Sequence, residues 1–145
     1  MSHKCEAAVI TCEDFRLHQR KDGRNYIADF VKSLGVDADL ITRGGSIQDL
    51  VRPETEGFCE CLFRDSRVSA VLHSIKTIYL VNHEDCGAYG ALNFASKDEE
   101  FAKHAQDLRD AKKKINERFP EVEVKLFFAY LAAGTSDVFE IKALA

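Results

Sequence analysis

Two stretches of this chain share one plan, an apolar run followed at once by side chains that can bind a metal. Residues 6–16 read Glu-Ala-Ala-Val-Ile-Thr-Cys-Glu-Asp-Phe-Arg, and residues 77–87 read Thr-Ile-Tyr-Leu-Val-Asn-His-Glu-Asp-Cys-Gly. Short apolar runs of this kind predict buried strands. Because α/β proteins build their sites at the carboxyl ends of strands, the cysteines and the histidine predict a site at that edge of a sheet.

The chain alternates strand and helix patterns over most of its length. The predicted strands cover residues 6–11, 38–42, 77–82, 122–131 and 138–141, the last of them short and at a sheet edge. The predicted helices cover residues 24–34, 58–74 and 97–118, with a further helix beginning near Cys86. Strands separated by helices predict a mostly parallel sheet. We therefore expect an α/β fold, a single Rossmann-like domain over residues 1–145 with a four- to five-stranded sheet flanked by helices.

Two of the predicted helices carry specific packing expectations. The helix at 58–74 offers six core positions, which are Phe58, Leu62, Val68, Val71, Leu72 and Ile75. The helix at 97–118 is highly charged, with acids at its start and bases towards its end, as the helix dipole favours. We expect the charged face of this second helix to be solvated.

The composition excludes several classes of function. The 145 residues are 46% apolar and 30% charged, which predicts one folded domain rather than a disordered chain. The net charge is −4 without a basic stripe, so nucleic acid is not an expected partner. The longest apolar stretch, Leu126 to Gly134, is far shorter than the roughly 20 residues of a membrane helix. Since the first residues also lack an apolar signal-peptide core, we predict a cytoplasmic protein with no membrane partner.

The five cysteines of such a chain are expected to be thiols or metal ligands rather than disulfides. Cys5 is predicted to be a plain thiol. Cys59 and Cys61 lie on a predicted helix, where positions two apart point about 200° away from each other. We therefore predict that both are structural. Cys12 and Cys86 remain as the cysteines of the two opening motifs.

Cys12, His83 and Cys86 form the ligand set of a catalytic-type zinc site, whose fourth position is left for water or a carboxylate. Asp14 follows two residues after Cys12 and can serve at that position. Arg16 follows after two more residues, and because side chains alternate along an extended chain, all three can point the same way. The planar guanidinium of Arg16 can hold a carboxylate with two hydrogen bonds. Asp14 then has two states. Bound to Arg16 it leaves the zinc open, and released from Arg16 it closes the zinc.

Smaller features of the motifs also carry predictions. Cys86 is placed at a helix N-terminus, which stabilises a thiolate, and Asp85 is expected to cap that helix. Gly87 allows a close approach of the backbone to the site. Gly44 and Gly45 follow the second strand and are predicted to be turn residues whose amides line the substrate site.

Taken together, the motifs resemble the β-class carbonic anhydrase family. That family's pattern is Cys-x-Asp-x-Arg after the first strand and His-x-x-Cys-Gly after the third, and the resemblance covers roughly residues 6–95 of this chain. It implies that Cys12, His83 and Cys86 bind zinc, and that a zinc-bound hydroxide converts carbon dioxide to bicarbonate. It implies that Asp14 orients the water and that Arg16 holds Asp14. It also implies a homodimer or a higher homo-oligomer.

The chain departs from the family pattern around the zinc ligands. Eleven residues precede Cys12, where family members carry N-terminal helices that embrace a partner subunit. The glutamine that plant-type members supply before the first strand has no counterpart here. The turn that reads Arg-Asn-Ala-Gly in the family reads Arg-Gly-Gly-Ser at residues 43–46. The substrate pocket and the subunit contacts are therefore expected to differ from those of the family.

Three other functions remain open from the sequence. The first is a hydrolase on this scaffold that acts on another small linear molecule, such as carbon disulfide or carbonyl sulfide. The second is a catalytically silent zinc protein that binds a partner or an anion, or acts as a sensor. The third is a redox protein that uses Cys12 and Cys86, and it ranks last because neither cysteine lies in a C-x-x-C motif.

Overall fold

The fold is built on a five-stranded sheet whose order is β2-β1-β3-β4-β5. The structure is a computed structural model that describes residues 3–145 and only the backbone of Leu92. The strands are β1 (Ala7–Cys12), β2 (Ala38–Arg43), β3 (Thr77–His83), β4 (Glu123–Leu131) and β5 (Phe139–Ala143). The first four run parallel, and β5 pairs with β4 antiparallel at one edge. The predicted α/β fold with a mostly parallel sheet is confirmed.

Helices cover both faces of the sheet. They are α1 (Tyr26–Leu34), α2 (Gln48–Val51), α3 (Glu56–Leu72) and α4 (Lys97–Arg118), and short 3₁₀ turns lie at Phe15–Leu17, Gly87–Tyr89 and Ala91–Asn93. Alternate residues of β1 point to opposite faces. Ala7 and Val9 accordingly share a core with α1, and Ala8 and Ile10 share one with α2, α3 and α4. Within residues 3–145, no helix combines the length and the apolar character needed to cross a membrane.

The buried face of α3 differs from the face that the sequence predicted. Leu62 is buried as expected, but Phe58, Val71 and Leu72 are 40%, 67% and 61% exposed. The buried stripe continues instead through Ser66 and Ser69, in step with the helical repeat. Ser66 can be buried because its hydroxyl donates to the Leu62 carbonyl at 2.9 Å, so that its polar group is satisfied. Apolar residues were counted in the prediction, and small residues with satisfied hydroxyls were not.

The order of the strands determines where a site can form. From β1 the chain crosses to β2 on one side, and β3 then returns to pair with β1 on the other side. At such a switch point the loops after neighbouring strands diverge and leave a crevice at the carboxyl ends. Cys12 is the last residue of β1 and His83 is the last residue of β3. The two motifs of the sequence therefore meet at this crevice.

Candidate metal centre

Cys12, His83 and Cys86 are brought together at the switch point of the sheet. Their ligand atoms all lie within 4.8 Å of one another. The two sulfur atoms are 3.9 Å apart, although 74 positions separate the two cysteines in the sequence. All three residues are buried. The cluster therefore offers the two thiols and the imidazole of a three-ligand zinc site in a place shielded from bulk water.

The imidazole of His83 is oriented for metal binding by its own backbone. Its Nδ1 lies 2.8 Å from the carbonyl oxygen of Glu84, and a carbonyl can only accept, so Nδ1 carries the proton. Nε2 is then left with its lone pair. This atom is buried and has no hydrogen-bond partner among the described residues. A buried nitrogen acceptor beside two thiols fits a bound metal ion, because an ion would satisfy an atom that otherwise costs free energy.

One of the two thiols ionises readily, and ionisation of the second is then disfavoured. The contact with the Cys86 thiol, helped by His83 and by the Gly45 amide, outweighs burial and lowers the pKa of Cys12 to about 4. The same contact, together with burial, raises the pKa of Cys86. A cation favours thiolate at both positions, since it offsets the repulsion between the two sulfur atoms.

Arg16 holds Asp14 close to this cluster. The Arg16 Nη2 and Nε atoms donate to the Asp14 carboxylate at 2.7 and 3.0 Å, and the Arg16 amide donates to it at 2.9 Å. Burial alone would raise the pKa of Asp14, but the hydrogen bonds from Arg16 outweigh it and lower that pKa. One Asp14 oxygen lies 3.9 Å from the Nε2 atom of His83. Asp14 is thus an ionised carboxylate beside the cluster of Cys12, His83 and Cys86.

The backbone conformation that brings Arg16 to Asp14 differs from the predicted one. We expected alternation along an extended chain, but β1 ends at Cys12 and Asp14 caps a 3₁₀ turn at Phe15–Leu17. This turn folds Arg16 back over the Asp14 side chain. The turn forms because the Asp14 carboxylate accepts the Arg16 amide hydrogen, a local bond that competes with continued extension.

Asp85 also differs from its predicted role, because it binds Arg16 rather than capping a helix. Its carboxylate accepts from Arg16 Nη1 at 3.0 Å, and its backbone carbonyl accepts from Nη2 at 3.0 Å. Asp85 has a φ of 62°, a left-handed conformation that aspartate tolerates better than most residues. The segment after Cys86 is only a 3₁₀ turn, Gly87–Tyr89. Arg16 thereby joins the two motifs, since it contacts one aspartate from each.

The three glycines predicted to line the substrate site occupy two different places. Gly87 lines an open cleft of about 830 Å³ together with Asp14, Arg16 and Asp85. Gly45 is not among the residues that line this cleft. Its amide donates to the Cys12 sulfur at 3.4 Å. Gly44 packs beside the Glu13 side chain.

Replacing Gly45 by alanine is expected to destabilise the protein by about 1–3 kcal/mol. Gly45 has a φ of 82°, and an added Cβ would lie 2.5 Å from the Gln48 side-chain oxygen and 3.3 Å from the Ala88 Cβ. Urea unfolding of the metal-free protein measures the change. Gly57→Ala is the matched control, since Gly57 lies in α3 with its nearest contact at 3.7 Å. An equal loss of stability in both variants would contradict the expected strain at position 45.

The charged face of helix α4 is solvated as predicted, and Lys103, Arg109 and Lys113 on it are exposed. The opposite face presents buried polar side chains to the site, which was not predicted. Glu100, His104 and Asp107 are all buried. The Glu100 carboxylate accepts the Asp85 amide hydrogen at 2.6 Å, and the ring of His104 lies 3.9 Å from that of Tyr89. The sequence contained a signal for this face. These three residues recur at steps of four and three, in register with the apolar Leu108 and Ala111.

His104 should make the stability of the protein sensitive to acid. Burial lowers the pKa of His104 to about 3, against about 6.5 in an unfolded chain. Between these two pKa values His104 is protonated in the unfolded protein but neutral in the folded one. The free energy of unfolding is therefore highest above about pH 6.5 and decreases as the pH falls. The loss is about 2 kcal/mol between about pH 6.5 and 5. In urea unfolding of the metal-free protein, the H104Q variant should lose about that much less stability between about pH 6.5 and 5, and an equal loss in both proteins would contradict this role of His104.

One protein-family model and two curated relatives match most of the chain. The family model described as "Putative carbonic anhydrase" matches residues 2–136 of the chain. An uncharacterized protein of Rickettsia bellii (strain RML369-C) is 28% identical over 144 residues, which are 95% of this chain and 84% of the relative. An uncharacterized protein of Rickettsia conorii (strain ATCC VR-613 / Malish 7) is 28% identical over 145 residues, covering 96% of this chain and 75% of the relative.

A solved structure extends the likeness to the fold. The crystal structure of beta-carbonic anhydrase isoform I from the protozoan Trichomonas vaginalis superposes with a TM-score of 0.56 at 15% sequence identity. The match covers 98% of this chain and 83% of that chain. At this identity the likeness is one of fold.

Proposed function

Since the chain belongs to the carbonic anhydrase-like family whose model spans residues 2–136, we propose that it catalyses the zinc-dependent hydration of carbon dioxide to bicarbonate. The observation that carries this proposal is the buried cluster of Cys12, His83 and Cys86, with the unpartnered Nε2 of His83 among the two thiols. Zinc bound by these three side chains would act as a Lewis acid and lower the pKa of a water molecule to about 7. The fold and the family also support this proposed reaction.

Asp14 is proposed to orient the reacting water. Its carboxylate is ionised and lies 3.9 Å from the Nε2 atom of His83, so it can accept a hydrogen bond from a water molecule in the fourth metal position. Because Arg16 holds this carboxylate through two of its side-chain nitrogens, Asp14 is kept from occupying that position itself. We propose that Arg16 thereby gates the site and that a released Asp14 would close it.

Carbon dioxide is proposed to approach through the cleft that Gly87 lines. Phe15 and Ala91 give this cleft apolar surface beside Asp14 and Arg16. A small neutral molecule needs no charged anchor, and apolar walls favour it over water. Bicarbonate would leave along the same path. Gly45 acts at the other side of the cluster, where its amide stabilises the Cys12 thiolate.

Stopped-flow hydration of carbon dioxide by the zinc-loaded protein tests the proposal. We expect catalysis that increases across about pH 6.5–9, the range set by the pKa of a zinc-bound water. The same preparation after removal of zinc by a chelator is the control and should be inactive. Zinc binding without hydration at any pH would overturn the enzymatic proposal and favour the zinc-binding module. Hydrolysis of carbon disulfide or carbonyl sulfide, measured in parallel, would identify the related hydrolase.

The proposal includes the assembly in which this site works. We propose that residues 1–145 act as one cytoplasmic zinc domain that associates into a homodimer or a larger homo-oligomer. Phe15 at the edge of the cleft and Leu40 on the outer strand β2 are both exposed, which supports association through apolar contacts. Light scattering coupled to size-exclusion chromatography gives the mass in solution. A monomer at every concentration would contradict the assembly without affecting the proposed reaction.

A further inference from the structure

A second group of metal-binding side chains lies far from Cys12. It consists of Cys5, Asp39 and His73, whose ligand atoms all fall within 4.8 Å of one another. All three residues are half-buried, so an ion from solution can reach them. Cys5 precedes β1 and Asp39 is near the start of β2, so the group lies at the amino ends of the parallel strands. At about 3.3 Å per residue along the strand, it is about 20 Å from the first cluster.

The backbone holds these three donors in place. The Cys5 amide donates to the carbonyl of His73 at 3.2 Å, which ties the segment before β1 to the end of α3. His73 is the C-terminal cap of α3, and its own amide donates to the Ser69 carbonyl. Asp39 is held by the pairing of β2 with β1, in which it lies opposite Ala8. Because backbone hydrogen bonds hold all three positions, a ligand would find the donors already assembled.

The contacts between the donors indicate an incomplete site. The Nδ1 atom of His73 lies 2.6 Å from an Asp39 carboxylate oxygen, so the two atoms share a proton. The thiol of Cys5 donates weakly to the Ala7 carbonyl at 3.4 Å. A divalent cation could replace both protons, since it would offset the repulsion between a thiolate and a carboxylate.

We propose that Cys5, Asp39 and His73 form a second metal site, which takes zinc or a similar divalent transition ion. A thiolate, an imidazole and a carboxylate are together the ligand types of zinc. Magnesium and calcium select sites made of oxygen ligands, so a thiolate and an imidazole disfavour them. The site lies in a concavity of about 280 Å³ that is also lined by His3 and Asp37. Lys4 lines this concavity as well and is exposed.

The proposed site does not depend on carbonic anhydrase activity. It shares no residue with the cluster of Cys12, His83 and Cys86 and lies at the opposite end of the strands. An ion bound there would connect the segment before β1, the strand β2 and the end of α3. We therefore expect a structural role for it, in which zinc raises the melting temperature of the protein by binding only the folded state.

Metal stoichiometry of the full chain tests the proposal. The chain is stripped with a chelator, dialysed against zinc, and its zinc content is determined by elemental analysis. We expect two zinc ions per chain in the unaltered protein, one in C5S and two in C61S, which removes an exposed cysteine outside both clusters. One ion per chain in both the unaltered protein and C5S would overturn the proposal. If the unaltered chain binds one ion in all, and this ion is lost in C5S but retained in C12S, the result supports the site at Cys5 and contradicts the site at Cys12.

Cobalt(II) gives a direct readout of the Cys5 thiolate. In the C12S/C86S variant, which lacks the thiolates of the first cluster, added cobalt should produce a thiolate-to-cobalt absorption band in the near ultraviolet. Introducing C5S into this variant should abolish the band, and introducing C61S instead should preserve it. If the double variant does not fold, His73→Gln and Asp39→Asn in the otherwise unaltered chain should each weaken binding of the second ion by at least about tenfold. Unchanged binding in both would overturn the site.

Discussion

Replacing Cys12 by alanine should remove one zinc ion per chain and reduce carbon dioxide hydration to the uncatalysed rate. The side chain is buried, and its sulfur lies 3.9 Å from the Cys86 sulfur and accepts the Gly45 amide hydrogen. Without it, a thiol and an imidazole remain, which are too few ligands for a catalytic zinc site. Zinc content by elemental analysis and stopped-flow hydration measure the two effects.

Cys61→Ala is the matched control for this variant. Cys61 lies on α3, is exposed, and belongs to neither of the two candidate metal clusters among the described residues. It should keep the zinc content and the hydration rate of the unaltered protein. Full zinc content together with full activity in the Cys12 variant would show that the cluster is not the catalytic site. Loss of activity with all zinc retained would require another role for the Cys12 sulfur.

Replacing Arg16 by lysine should lower kcat/KM by about 10–100-fold while zinc stays bound. Arg16 donates to Asp14 at 2.7 and 3.0 Å, to Asp85 at 3.0 Å and to the carbonyl of Ser136 at 2.9 Å. Lysine keeps the charge, but its compact ammonium cannot make these contacts at once. Asp14 would then be free to leave its place beside the metal position. Because Cys12, His83 and Cys86 are untouched, the zinc content should not change.

A double-mutant cycle separates this positioning role from a general effect on the fold. If Arg16 acts through Asp14, then R16K and D14N should not be additive, and the double variant should be little slower than D14N alone. Arg64→Lys is the control, because Arg64 is a largely exposed arginine on α3. Unchanged kcat/KM in R16K, or strict additivity with D14N, would contradict the gating of the site by Arg16.

The sequence predicted the elements of the fold well because their patterns are local. The strand predicted at residues 77–82 is β3, Thr77–His83, and the helix predicted at 97–118 has those bounds. The edge strand predicted at 138–141 is β5, Phe139–Ala143, and the structure shows that it pairs antiparallel with β4. Alternation and helical periodicity involve neighbours a few positions apart, so each segment reports its own conformation.

Errors of prediction arose where burial depends on what packs against a helix. The exposed Val71 and Leu72 were expected in the core, and the burial of Glu100, His104 and Asp107 was not predicted. The polar groups on α4 are buried because the chain supplies partners for them. The Asp85 amide serves Glu100, and Asn82 donates to the Nδ1 atom of His104. Hydropathy alone does not register such partners.

The two motifs and their places at strand ends were determined by the sequence itself, and with them the family and the choice of zinc as the expected ion. Only the tertiary structure decided that Arg16 joins the two motifs, across 69 positions to Asp85. It alone brought Cys5, Asp39 and His73 together, which no spacing in the sequence suggests. The physical reason is the order of the strands. A pattern along the chain records neighbours in sequence, whereas the pairing of β1 with both β2 and β3 determines which distant side chains become neighbours in space.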